Sequence, residues 1–448
     1  MRRTGREACA LAESAFLSSA MPASLTRPAA LDIVARAATL LFENGQTTEE
    51  TVVAADKLGR ALGVPVTLLP YWGELAIRVD GTPLSDTVPA TPLGVDTVKV
   101  LATIEIADQI ADGTLPGTAA LAALAEVKRL RPASTLRFAL FAAIAAASLG
   151  VIWGVLGPAS LLLMAFSAGA GALLRRQLAA LSGNPYIQPL CAAAVAGVVG
   201  AIAMRFHLAD AQLLIALCPC MILVPGPHLL NGAIDLARAR ITLGIARLTY
   251  SGVILIAICA GLLVGLAAGN ATLPAAGSFV PAPLGADVIA AGCAAAGFAT
   301  FFSVPWRLLP LPIVAGMVAR AARWALMSLA GAGAATGALV ACALVGIVIT
   351  PIAHRRSLPL GPLAFSAVVS MMPGLPLFRF ASDLVQLVSS RERASADLLT
   401  GIVANSTTAF LIVLAMTIGL IVPRMLFQYF LPLSARDRRT TATFKRGP

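Results

Sequence analysis

The chain has 448 residues, of which 58% are hydrophobic and only 12% charged, with a mean hydropathy of +0.85. Soluble domains carry about a quarter charged residues, so this composition excludes an ordinary soluble protein and points to an integral membrane protein in a lipid bilayer. The formal net charge of +11 is better explained by Lys and Arg in loops beside a bilayer than by a nucleic-acid surface, and no nucleic-acid partner is expected.

In chain order, MRRTGREACALAESAFLSSAM has basic and small residues but no continuous apolar core, because Glu13 and the serines interrupt it. Residues 1–30 read as a disordered lead-in, not a signal peptide. Residues 31–135 read as a small soluble α/β domain. LDIVARAATLLFENG has helical periodicity and stops at Gly45. Thr47 with Glu50 three residues on fits a capping box opening a helix to about Gly63. VPVTLLPYWGELAIRVDG reads as two short strands, and VDTVKVLATIEIADQIADG and TAALAALAEVKRL as helices. This stretch lacks histidine, which excludes a His-based triad there, and its carboxylates read as a solvated surface. No enzyme chemistry is expected.

From Leu136 onward the sequence predicts ten apolar spans near the length needed to cross a bilayer. They lie at about 136–156, 157–174, 187–204, 208–225, 248–269, 284–302, 306–322, 331–353, 358–373 and 398–423. Of seven cysteines, only Cys9 lies outside this region. The others read as small hydrophobes. Disulfides, a metal site and a cofactor are not expected.

The fourth span ends in LVPGPHLLNGAIDLA (223–237) and the ninth in MMPGLPLFRFASDLV (371–385), 148 residues later. In register they share Pro225 with Pro373, Gly226 with Gly374 and Asp235 with Asp383. The same offset relates Leu136 to Leu284 and Arg175 to Arg323. The membrane part therefore reads as two homologous five-helix repeats, 136–270 and 284–425, followed by a basic tail, 426–448. Five is odd, so the second repeat is expected upside down relative to the first, as in many transporters. Loop charges agree with both termini on the cytoplasmic side. Arg175, Arg176, Arg238, Arg240, Arg247, Arg355 and Arg356 then lie inside with the tail. Arg205, Arg320, Arg323, Arg379, Arg391 and Arg393 are the outside exceptions.

Pro and Gly break a helix and leave backbone groups unpaired, which is tolerated at membrane depth only inside protein or beside water. A helix restarting at Gly226 or Gly374 points its positive dipole end at the break, a seat for a carboxylate. Asn231 and Asp235 lie four apart on one helical face. Arg379 replaces the asparagine in the second copy while Asp383 keeps the acid. The aspartates are expected to hold a substrate ammonium or carry protons, with Arg175, Arg176 and Arg323 offsetting buried charge. The bland alternative ends both spans at the interface with solvated aspartates. His228, whose repeat partner is Pro376, reads as a packing or interfacial residue. Asn405 to Thr408 either line a pathway or satisfy neighbouring backbone.

LVPGPHLLNGAIDLARARITLGIAR resembles the signature region of the threonine/serine exporter family, and LLFENGQTTEETVVAADKLGRALGV, with Gly45, Gly59 and Gly63, resembles its N-terminal region. The chain looks like the fused form, with both membrane halves in one polypeptide, over about residues 31–425. The resemblance implies export of threonine and serine across the bacterial inner membrane, driven by protons; the sequence leaves a homo-oligomer open. Three rivals stand beside it, one of them a structural or regulatory membrane subunit. A dicarboxylate exporter of the same fold would use Arg379 for the second carboxylate. An intramembrane aspartyl protease would pair Asp235 with Asp383.

Overall fold

A computed structural model describes residues 26–82, 85–272, 282–356, 358–389 and 395–430. Most of the expected lead-in, most of the loop at 270–283, Arg391, Arg393 and the tail from 431 onward lie outside the described residues.

The N-terminal region opens with α1 (Arg27–Glu43) and α2 (Thr48–Ala61). Between them Gly45 takes a φ of +89°, a left-handed turn that ends α1 without the penalty a Cβ would bring. Thr47 caps α2 as its spacing predicts, its Oγ1 accepting from the Glu50 amide at 3.4 Å. Strands β1 (Val66–Tyr71), β2 (Gly73–Val79) and β3 (Ser85–Ala90) form an antiparallel sheet in that order. Two strands are legible in the sequence. The third, SDTVPA, is short, polar and carries Pro89, which suits only an edge strand and hides it from a hydrophobic pattern. Helices α3 (Thr97–Ala111) and α4 (Gly117–Arg129) follow. Asp96 caps α3 by accepting from Val98 and Lys99 at 3.1 and 3.5 Å. Burial pushes its carboxyl above the ordinary carboxylate range, against the pull of Lys99. Val66, Leu68, Leu75, Ile77 and Val79 share one core with Ile33, Phe42, Leu58 and Leu124.

The remainder is helical: α5 (Thr135–Ile152), α6 (Pro158–Leu181), α7 (Ile187–Arg205), α8 (Gln212–Met221), α9 (Gly226–Ala237) and α10 (Ile241–Ala268). Then come α11 (Leu284–Phe301), α12 (Pro310–Leu329), α13 (Ala334–Arg355), α14 (Leu360–Val368), α15 (Gly374–Ser389) and α16 (Ala396–Phe430). The second six repeat the first six in order, and the same partners pack: α7 on α10 as α13 on α16, α6 on α8 as α12 on α14. Small residues allow this closeness. A methyl group placed on Gly265 would sit 2.9 Å from the Gly197 Cα, and one on Gly419 would sit 2.8 Å from the Cys342 Cβ.

Among the described residues eight helices are long and apolar enough to cross a membrane, or up to ten if each bent pair counts as one span. Two expected spans need correcting. α8, with ten residues, rises about 15 Å, half of a ~30 Å hydrocarbon core. It is long and apolar enough only if counted together with α9, from which it bends by 59°, and the second half repeats this between Leu360–Met371 and α15 at 65°. The segments that begin the two halves, α5 and α11, pack antiparallel. Phe138 stacks on Phe301 at 4.8 Å, Phe141 and Ala145 lie against Gly297, and Arg137 donates to the Val304 carbonyl at 3.2 Å.

Candidate functional site

The two breaks face each other. Gly226 opens α9 with Pro225 as its N-cap residue, and a Cβ there would fall within the Phe365 ring of α14. Gly374 opens α15, and a Cβ there would lie 2.7 Å from Met221 Cγ at the end of α8. Each glycine thus presses its backbone against the other half. Between them lies a small cavity lined by Met221 and Val224 of the first break and by Ser370, Met372 and Gly374 of the second, closed by Phe298 and Phe365. Ser370 Oγ is buried there with no hydrogen-bond partner.

The backbone donors expected at the breaks are largely committed. The Gly226 amide donates to the Val224 carbonyl at 2.8 Å, the His228 amide to Pro225 at 3.1 Å, and the Gly374 amide to Met372 at 2.9 Å. Pro227 and Pro376 have no N–H to give. What each break offers is a dipole end more than a row of free amides.

Asp235 and Asp383 each lie nine positions past their glycine, about 13 Å along the helix, and they do not meet. Asp235 is 1% exposed. Its Oδ2 accepts from Thr48 Oγ1 at 2.9 Å and pairs with Arg247 Nε at 3.2 Å, while Oδ1 lies 3.5 Å from Arg240 Nη1. Asn231, on the same face, donates to the Gly45 carbonyl at 3.4 Å. Asp383 is half-buried. It accepts from Asn405 Nδ2 at 3.0 Å, and the Arg379 charge one turn earlier acts on it. Of the polar run at 405–408, Asn405 alone reaches the aspartate, and Ser406 bonds back to Val403.

Sequence reasoning missed the other side of Asp235. The start of α2, read as solvated surface, is an interface. Glu49 pairs with Arg238 and, at 3.1 Å, with Arg424 of α16. Glu50 pairs with the same Arg424 at 2.5 Å. Thr97 of α3 donates its amide to the Phe302 carbonyl at 2.9 Å. Trp72 packs on Tyr250 at 5.3 Å, and Tyr250 meets the His228 ring edge-on at 5.2 Å, so His228 is a packed, buried ring. The capping box around Thr47 is visible in the sequence. Nothing in its spacing says that the same residues dock on α9.

The flanking arginines sit inside their helices, because α6 and α12 run on for six residues past Arg175 and Arg323. Arg323 donates to the Met371 carbonyl at 3.5 Å. Arg175 lies beside Ile222 and Leu223, its guanidinium 4.8 Å from the Phe301 ring. Arg176 turns away to the Ala133 carbonyl at 2.9 Å. A further pair went unread: Asp287 holds Arg320 through two bonds of 2.7 and 2.8 Å, and Arg320 also donates to the Ser370 carbonyl at 3.3 Å. An aspartate in the first turn of an apolar span was the available signal.

Comparison with known proteins agrees with this doubled arrangement. A threonine/serine exporter family model matches residues 32–269, and a second model, Threonine/Serine exporter ThrE, matches residues 287–426. Among curated proteins and among solved structures none matches this chain. The first match spans the N-terminal region and the whole first set of membrane helices and the second spans the other set, so the chain belongs to the threonine/serine exporter family, in a form that carries both halves in one polypeptide.

Proposed function

We propose that the chain is a secondary transporter that exports threonine and serine across a bacterial inner membrane in exchange for protons, through two inverted halves. The observation that carries this reading is the meeting of the two Pro-Gly breaks across one cavity where the halves touch. Transporters place substrate where discontinuous helices from two repeats converge. Bends of 59° and 65° keep each broken pair moving forward instead of doubling back, which favours ten crossings and five per half. The antiparallel packing of α5 on α11 supports the inversion. Both termini lie on the cytoplasmic side in this reading, and so does the N-terminal region. Pro225, Gly226, Pro373 and Gly374 shape the site. Asn231, Asp235, Arg379 and Asp383 lie along the two half-helices that lead from it to opposite faces. Asp235 and Asp383 carry the proton exchange, with Arg175, Arg176 and Arg323 offsetting charge.

The test is efflux from cells preloaded with a threonine dipeptide, comparing cells with and without the chain at matched growth. Threonine release should rise with the chain present and fall when an uncoupler collapses the proton gradient. A potential of 100 mV is worth about 2.3 kcal/mol per charge, enough for a roughly fiftyfold gradient per proton. Release that ignores the uncoupler sinks proton coupling. Release of succinate but not threonine moves the substrate class to dicarboxylates.

A further inference from the structure

A cavity separate from the one between the breaks lies on the other side of the first break. It is lined by Ser167, Ala168, Gly171, Ala172 and Arg175 of α6, and capped by Pro219, Ile222, Leu223 and Phe301. The α6 residues fall at helical spacings of one, four, five and eight, so they form one stripe facing the break. Small residues line it between two polar ends. At one end, Arg175 Nε and Nη1 are buried with no hydrogen-bond partner, and at the other Ser167 Oγ is buried with none. Arg175 has no ion-pair partner among the described residues. Its guanidinium lies 4.8 Å from the Phe301 ring, which offers a π face and accepts no strong hydrogen bond, and Arg176 and Tyr250 act on it electrostatically.

A buried guanidinium with open donors is costly unless an anion satisfies it, and its planar fork matches a carboxylate. The repeat sharpens this. Arg323, the partner of Arg175, donates to the carbonyl of Met371, and Met371 is the repeat partner of Leu223. In the second half the arginine is satisfied by its own break. In the first half it is held at the corresponding place and left open. The first turn of α9, by contrast, has its amides committed or replaced by proline.

We propose that Arg175, with Ser167, is the seat for the carboxylate of the transported amino acid on the first-half side. The inference rests on the transport reading above and names the group within it that recognises the carboxylate. Gly171 and Ala172 carry at most a methyl group between the two polar ends, and Gly171 packs on Ala192 of α7, so the seat fills as α6 and α7 part in the transport cycle.

The experiment uses the full chain in proteoliposomes and measures L-threonine exchange, with threoninol as competitor. Threoninol keeps the ammonium and the hydroxyl and replaces the carboxylate by an alcohol. The intact chain should exchange threonine, and threoninol should compete at least about tenfold more weakly, the range of a lost charge-assisted hydrogen bond. Arg175→Gln should raise the KM for threonine about tenfold or more and abolish the preference over threoninol. Arg175→Lys should fall between, and Ser167→Ala should raise KM by about threefold. If Arg175→Gln exchanges threonine with unchanged KM and unchanged preference, the seat is overturned and the transport reading stands. If the intact chain exchanges no amino acid, both are overturned. Should Arg175→Gln not fold, judged by size-exclusion profile, then Arg175→Lys and Ser167→Ala decide: wild-type KM and preference in both overturn the seat.

Discussion

Asp235 packs as a buried carboxylate, and the proposed cycle gives the same group a role in transport. Its neighbour Arg247 is fully buried and stacks 5.2 Å over Phe42, so the guanidinium depends on Asp235 for its charge balance. Removing one member of such a pair strands the other in low dielectric, at about 3–5 kcal/mol, whereas replacing both by apolar groups is often near neutral. Asp235→Asn should therefore lower the thermal unfolding midpoint in detergent markedly. The double variant Asp235→Asn with Arg247→Met should recover most of that loss. Threonine efflux then separates the roles. We expect the double variant to regain stability without regaining export, because the acid to which the proposal assigns proton exchange is still missing. Recovery of both would reduce Asp235 to a structural residue. The aspartate itself is readable from the sequence as an acid in an apolar context. Its partners are not, since Thr48 lies 187 positions away and no local pattern encodes a contact that the fold alone creates.

At the scale of the element, the broken helices make unequal demands on their two glycines. A Cβ on Gly226 meets an aromatic ring wedged between Gly226 and Phe302, since Phe365 also stacks edge-on against Phe302 at 5.7 Å. A Cβ on Gly374 meets the end of a methionine, an unbranched side chain that moves aside at little cost. Gly226→Ala should thus destabilise by about 1–3 kcal/mol through overpacking, and Gly374→Ala by clearly less. Phe365→Leu should relieve the first and leave the second unchanged. Thermal midpoints of the five proteins, intact chain included, check this, and equal penalties for the two alanine variants would contradict the packing account. The breaks were legible, because Pro-Gly at the end of an apolar run has one common meaning in lipid. The helix lengths were less so. Hydropathy merges α8 with the break that follows it, and it ends α6 at the first charge even though Arg175 and Arg176 continue the helix by turning onto aromatic rings.

For the whole molecule, the consequential contact is the one between the N-terminal region and both halves. The segment from Gly45 to Glu50 touches Asn231 and Asp235 on α9 and Arg238 just past it in the first half, and Arg424 on α16 of the second. Two arginines and two glutamates carry most of the charge in that bridge, and Arg424 is only 5% exposed. Exposed pairs contribute little to stability, but partly buried ones tie specific surfaces together. Any cycle that rocks one half against the other must break this bridge or carry it along. A cross-link can hold it shut without altering the central cavity. Thr47 and Gly361 are suited to it, since a Cβ at Gly361 would lie 3.5 Å from Thr47 Cγ2, within reach of disulfide geometry. The variant Thr47→Cys with Gly361→Cys, with the native cysteines replaced, should form the disulfide under mild oxidant. Export should stop in the oxidised form and return on reduction, while either single cysteine variant exports in both conditions. Undiminished export through the oxidised form would mean that the N-terminal region and the second half move as one body, and that the halves separate elsewhere, along α5 and α11.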